Sequence, residues 1–143
     1  MKNRILLVED NPDELTLLLR AIERTGLDTE TVVQVNSSNA LKWLQESGRY
    51  PHIMPNLILL DIVQPEIDSI SFLQRLRNDS QTQRIPVVIY TNCADDQVMA
   101  ACSASGCNSY VHKPARYADF AETAQNIIRY WLTINAAPNN NAV

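Results

Sequence analysis

Apolar runs alternate along the chain with segments in which apolar residues recur at helical spacing. Arg4–Val8 carries a continuous apolar run, the pattern of a strand buried on both faces. It stops at Glu9-Asp10, and Asn11-Pro12-Asp13-Glu14 then predicts a helix start: Asn11 as cap, Pro12 at the first helical position, and Glu14 closing a capping box. Leu15, Leu18, Leu19 and Ile22 continue that helix until Gly26 ends it. Thr29–Val35 predicts a second strand, and Ser37 is expected to cap a helix running through Ala40, Leu41 and Leu44 to Gly48. The two prolines of Arg49–Asn56 make a loop. Leu57–Asp61 predicts a third strand, again ending on a carboxylate, and Pro65 leads into a helix with Phe72, Leu73 and Leu76 inward. Ile85–Thr91 reads as a strand with Pro86 tolerated near its start, Asp95–Ala104 as a weaker helix, and Cys107–His112 as a fifth strand stopped at Lys113-Pro114. Phe120, Ala124, Ile127, Ile128 and Trp131 trace the inward face of a final helix.

Five strands alternating with five helices predict an α/β fold, a doubly wound, flavodoxin-like parallel sheet. The expected organisation is one domain over residues 1–134 and a flexible tail over 135–143, where asparagines and small residues dominate.

Composition narrows the functional classes. Twelve Lys+Arg against sixteen Asp+Glu give a formal charge of −4 and no basic block, which argues against nucleic acid as a partner. The apolar stretch Ile5–Val8 is too short for a signal-peptide core or a membrane span. Cys93, Cys102 and Cys107 form no C-x-x-C pair, so reduced thiols and a cytoplasmic location are expected. His52 and His112 have no metal-ligand partner at useful spacing and are read as structural.

In doubly wound sheets, ligands sit beyond the carboxyl ends of the strands. There this sequence puts Glu9-Asp10, Asp61, Thr91 and Lys113. Carboxylates brought together repel unless a cation or protons intervene, and an oxygen-only donor set favours Mg²⁺. A lysine and a threonine hydroxyl beside such an ion suit phosphoryl transfer to a carboxylate nucleophile.

The strings ILLVEDNP, LILLD with Pro65 four residues on, IPVVIYT and YVHKP occur in this order over nearly the whole chain. Together they resemble the receiver domain of two-component response regulators. The resemblance implies that Asp61 accepts a phosphoryl group from a histidine kinase or a phosphotransfer protein. It implies Mg²⁺ bound by Asp10, by Glu9 directly or through water, by Asp61 and by the backbone carbonyl of Val63. Thr91 and Lys113 would engage the phosphoryl group, and Thr91 and Tyr110 would move together as a switch.

Departures from the family pattern are also legible. Ser69 follows Asp68 where glycine is usual, so that turn is expected to differ. Asn92 follows Thr91 where a small residue is usual, and its amide is expected to narrow access to the phosphoryl group. Val63 and Cys93 stand at positions that tune dephosphorylation, and neither positions an attacking water. A phosphohydrolase is disfavoured because position 63, where such enzymes carry a second acid/base carboxylate, is valine. A phosphorylation-independent binding module with the receiver fold is the alternative reading.

The loop Arg49–Asn56 and the ending Ile127–Leu132 are similar to stand-alone regulators that partner bacterial phytochromes, whose output is a protein contact. Tyr117, Tyr130 and Ile134 fall off the inward stripe of the last helix and predict an exposed apolar patch, read as a homodimer surface on the fourth helix, fifth strand and fifth helix.

Overall fold

The computed structural model describes residues 2–62 and 65–138. Its element order is β1 (Asn3–Val8), α1 (Pro12–Arg24), β2 (Thr29–Gln34), α2 (Ser37–Ser47), β3 (Leu57–Leu60), α3 (Glu66–Asn78), β4 (Val87–Thr91), α4 (Asp96–Ser105), β5 (Ser109–His112) and α5 (Tyr117–Arg129). The strands form one parallel sheet in the order β2-β1-β3-β4-β5. This is the expected doubly wound fold.

Alternate residues of each central strand feed opposite faces of the sheet. Ile5, Leu7, Leu57, Leu59, Val88 and Tyr90 pack with Leu18 and Ile22 of α1 and Phe120, Ala124 and Ile128 of α5. Leu6, Val8, Ile58, Leu60, Val87 and Ile89 pack with Leu44 of α2, Phe72, Leu73 and Leu76 of α3, and Cys102 of α4. Burial on both sides is why the central strands are apolar without alternation. The edge strands β2 and β5 are only partly buried, which explains their weaker sequence signal.

Several local expectations are corrected. The cap of α2 is Asn36, whose side chain accepts from Asn39 N–H, and Ser37 lies inside the helix. Asn11 caps α1 by accepting from the N–H groups of Asp13 and Glu14, but Glu14 does not reach back to complete a capping box. Its carboxylate is held by other partners. Asp68 and Ser69 belong to α3 rather than to a turn, and Ser69 is buried in that helix. Strand β4 starts at Val87 and β5 at Ser109, each two residues after the apolar run begins. The loop before β3 contains a short 3₁₀ turn, Pro51–Ile53.

After α5 the chain continues in a π-helical turn, Tyr130–Ile134, closed by Asn135 N–H donating to the Tyr130 carbonyl. Residues 135–138 have no regular structure, and the remainder of the expected tail lies outside the described residues. Trp131 is partly buried against the α1/α5 side of the core, as its place on the inward stripe predicts. Among the described residues, no helix is long and apolar enough to cross a membrane.

Candidate functional site

The strand order reverses at β1, so the crevice between the carboxyl ends of β1 and β3 is the topological switch point. Four backbone segments converge there. Glu9 leaves β1 with its N–H donating to the Gln34 carbonyl at 3.0 Å, and Asp61 leaves β3 with its N–H donating to Val8 at 3.0 Å. Thr91 is the last residue of β4, and Lys113 follows β5 with its N–H donating to the Thr91 carbonyl at 2.8 Å. Pro114 cannot extend that ladder, because proline lacks the N–H. The sheet therefore fixes the root of each side chain before any side chain contributes.

Lys113 is the centre of the arrangement. Its side chain is 1% exposed, and its ammonium donates to Glu9 Oε1 at 2.9 Å, to Asp61 Oδ2 at 3.0 Å and to Glu14 Oε2. Burial disfavours the ammonium, yet the hydrogen bonds to Glu14 and Glu9 and the negative charges of Asp61 and Glu9 outweigh it and hold the Lys113 pKa above its ordinary value. Glu9 is almost wholly buried. Burial pushes its carboxyl up to about 7 and the Asp61 charge adds to this, against the lowering effect of Lys113. The second Glu9 oxygen, Oε2, accepts from the N–H groups of Asp10 at 3.1 Å and Asn11 at 3.3 Å. It thus satisfies the Asn11 N–H that a capping box from Glu14 would have covered, and the Asp10 N–H before it.

One oxygen each from Glu9, Glu14 and Asp61 lies within 4.8 Å of the others. Three carboxylates face a single ammonium, so the ionised cluster is short of positive charge. An all-oxygen donor set with that deficit fits a hard divalent cation such as Mg²⁺.

The structure thus brings Glu9, Asp61 and Lys113 together as the strand-end reading expects. Asp10 is exposed and is not part of the acidic cluster. Val63, expected to offer its carbonyl, lies outside the described residues. Glu14 joins the cluster although the sequence reading assigned it only to a helix cap. No local pattern signals this, because the partner that draws Glu14 in, Lys113, arrives from the end of β5.

Thr91 and Tyr110 are linked through the backbone of one residue. Thr91 is buried, and its hydroxyl accepts from Cys93 N–H at 3.2 Å. The Tyr110 hydroxyl donates to the Cys93 carbonyl at 2.8 Å. Burial, followed by the hydrogen bond to Cys93, holds the Tyr110 phenol above its ordinary pKa. Asn92, between them in sequence, is exposed and donates across the crevice to Glu14 Oε1 at 3.4 Å. The histidines lie elsewhere: His52 is exposed in the 3₁₀ turn, and His112 is exposed at the end of β5, edge-on to Tyr110.

Comparison with known proteins is consistent with this geometry. Residues 5–125 match the family model of the response regulator receiver domain. The chain is 31% identical to the probable methanogenesis regulatory protein FilR2 of Methanothrix harundinacea, over 94% of this chain and 86% of that protein. It is 30% identical to the response regulator Rcp1 of Synechocystis, over 94% and 92% of the two chains. The Mn²⁺-bound structure of Rcp1 superposes with a TM-score of 0.84 at 29% identity, covering 96% of this chain and 99% of that one. The phosphorylated cyanobacterial phytochrome response regulator RcpA superposes with a TM-score of 0.87 at 26% identity, covering 97% of this chain and all of that one.

Proposed function

The chain belongs to the response regulator receiver family, and from that premise we propose that Asp61 accepts a phosphoryl group from a histidine kinase or a phosphotransfer protein. Receiver domains are signalling modules, and the output proposed here is a protein contact. The observation that carries the proposal is the Asp61 carboxylate, 3.0 Å from a buried lysine ammonium at the switch-point crevice.

In the proposed reaction an Asp61 oxygen forms the new O–P bond while the P–N bond to the donor imidazole breaks, and the imidazole leaves with that electron pair. Lys113 holds the carboxylate in place and faces the transferring group with positive charge. The Thr91 hydroxyl, at the adjacent strand end, binds a phosphoryl oxygen. Its move away from Cys93 loosens the link to Tyr110, which makes these two residues a switch. Glu9, Asp10 and Asp61, with the Val63 carbonyl that the family pattern adds, would hold Mg²⁺, which would supply the charge compensation that the carboxylates and a phosphoryl group require. The Mn²⁺-bound form of Rcp1 supports a divalent ion in this family.

Likeness to RcpA, a cyanobacterial phytochrome response regulator, supports a bacterial phytochrome as the kinase. A second copy of the chain is the proposed partner for α4, β5 and α5. Tyr117 is 60% exposed, Tyr130 46% and Ile134 69%, apolar surface of the kind that association buries.

Incubation with phosphoramidate and Mg²⁺ tests the acceptor. The expected result is one added phosphoryl mass, labile to hydroxylamine and absent from Asp61→Asn. Labelling of that variant to the wild-type extent overturns the assignment. An unlabelled wild-type chain points instead to a phosphorylation-independent binding module.

A further inference from the structure

Glu14 has partners on two sides of the crevice. From the first turn of α1, its Oε2 accepts from the Lys113 ammonium and its Oε1 from the Asn92 amide. It therefore ties the start of α1 to β5 and to the segment that follows β4. An ammonium has three N–H donors, and Glu9, Glu14 and Asp61 take all three. Lys113 has no donor left for a phosphoryl oxygen unless one carboxylate lets go.

The three are not equally able to do so. The Glu9 side chain is 2% exposed, and its other oxygen is engaged by two backbone N–H groups. The Asp61 side chain is 14% exposed, and as the acceptor it cannot leave. The Glu14 side chain, at 23%, is the most exposed of the three, and its other oxygen has only the 3.4 Å hydrogen bond from Asn92, so it loses least by turning to water. Charge points the same way. Phosphorylation replaces the single negative charge of Asp61 by about two on the phosphoryl group, next to a Glu14 oxygen already within 4.8 Å of Asp61.

We propose that Glu14 is a positioning residue and the releasable partner of Lys113: it saturates the ammonium and tethers Asn92 in the unphosphorylated protein, and gives up both when Asp61 is phosphorylated. The inference rests on the acceptor reading above. Its consequence is that Glu14 opposes phosphorylation, and that its release frees the segment between Thr91 and α4. Asn92 narrows access to the crevice through Glu14 rather than by bulk alone.

The test uses the full chain, with phosphoramidate as donor and Mg²⁺ varied. Glu14→Gln keeps the shape and removes the charge. It is expected to raise the maximal phosphorylation rate about fivefold, with half-saturation by donor changed less than about twofold. Asn92→Ala is expected to raise the rate less, and the double variant to do no better than Glu14→Gln alone, because both changes break one tether. A Glu14→Gln rate equal to or below wild type overturns the proposal, as does full additivity of the two changes. A merely structural role would lower the thermal midpoint without raising the rate. Asp61→Asn, run alongside, separates the two readings: if it still labels, the acceptor is wrong, and if it does not label while Glu14→Gln is unchanged, only the role of Glu14 falls.

Discussion

At the scale of single residues, the site depends on one buried cation outnumbered by carboxylates. Lys113→Ala is expected to leave Glu9 buried with its strongest partner gone, and the apo protein should lose about 2–4 kcal/mol in a denaturant titration. A wild-type midpoint in that variant would show that the lysine is not what balances the cluster. Cys102 makes a different residue-scale prediction. Its side chain is fully buried in the α4 side of the core, and burial, followed by the nearby Cys107 and Cys93, pushes its thiol up to about 11. A pKa raised on folding contributes stability that is complete below the ordinary value of 9.0 and is lost as pH rises through about 11. In the native protein, iodoacetamide should therefore modify Cys102 at least about 100-fold more slowly than in denaturant, since labelling must await opening of the fold. Equal rates in the two conditions would contradict its place in the core.

At the scale of elements, Arg77 shows how the end of the sheet opposite the site is held. From α3 its guanidinium donates to the carbonyls of Gly106, Gln83 and Ile85 and to Asn108 Oδ1, all within 3.0 Å. Gly106 ends α4 with φ at +106°, and a Cβ there would stand 2.7 Å from Arg77 Cγ. Arg77→Ala should cost about 2–3 kcal/mol by stranding several carbonyls, and Gly106→Ala about 1–3 kcal/mol through strain and contact. Either variant matching wild type in thermal unfolding would remove this brace from the account. No local pattern announces the Arg77 brace, because it joins the turn just after α3, at Gln83 and Ile85, to the α4–β5 junction at Gly106 and Asn108, about thirty residues on. The elements themselves were legible. Leu57–Leu60 and Val87–Thr91 are uninterrupted apolar runs because both faces of the sheet are covered, and the apolar stripe of α5 recurs at helical spacing. Boundaries were less so: Asn36 and Ser37 are both good caps, and only backbone geometry chooses between them.

At the scale of the whole molecule, topology does for the site what no single element can. The order β2-β1-β3-β4-β5 puts Glu9, Asp61, Thr91 and Lys113 along one edge, so that groups as far apart in sequence as Glu9 and Lys113 meet at 2.9 Å. Those strand-end groups could be read from the sequence because each follows an apolar run. Glu14 could not, since its role appears only when β5 delivers Lys113 over the first turn of α1. The exposed Tyr130 and Ile134 carry the proposal for assembly. Sedimentation over a concentration series should show a dimer weakened at least about tenfold by Ile134→Asp, whereas a monomer at every concentration would make this face an ordinary surface. The central claim, that Asp61 is the acceptor, is tested most directly by locating the modified carboxylate. Phosphorylate the full chain with phosphoramidate and Mg²⁺, reduce the acyl phosphate with borohydride, and map the resulting homoserine by peptide mass spectrometry. The account predicts homoserine at position 61 and none when Mg²⁺ is chelated; homoserine at position 10, the longer reduced alcohol 5-hydroxynorvaline at position 9 or 14 in place of modification at 61, or phosphate retained on His52 or His112, would contradict it.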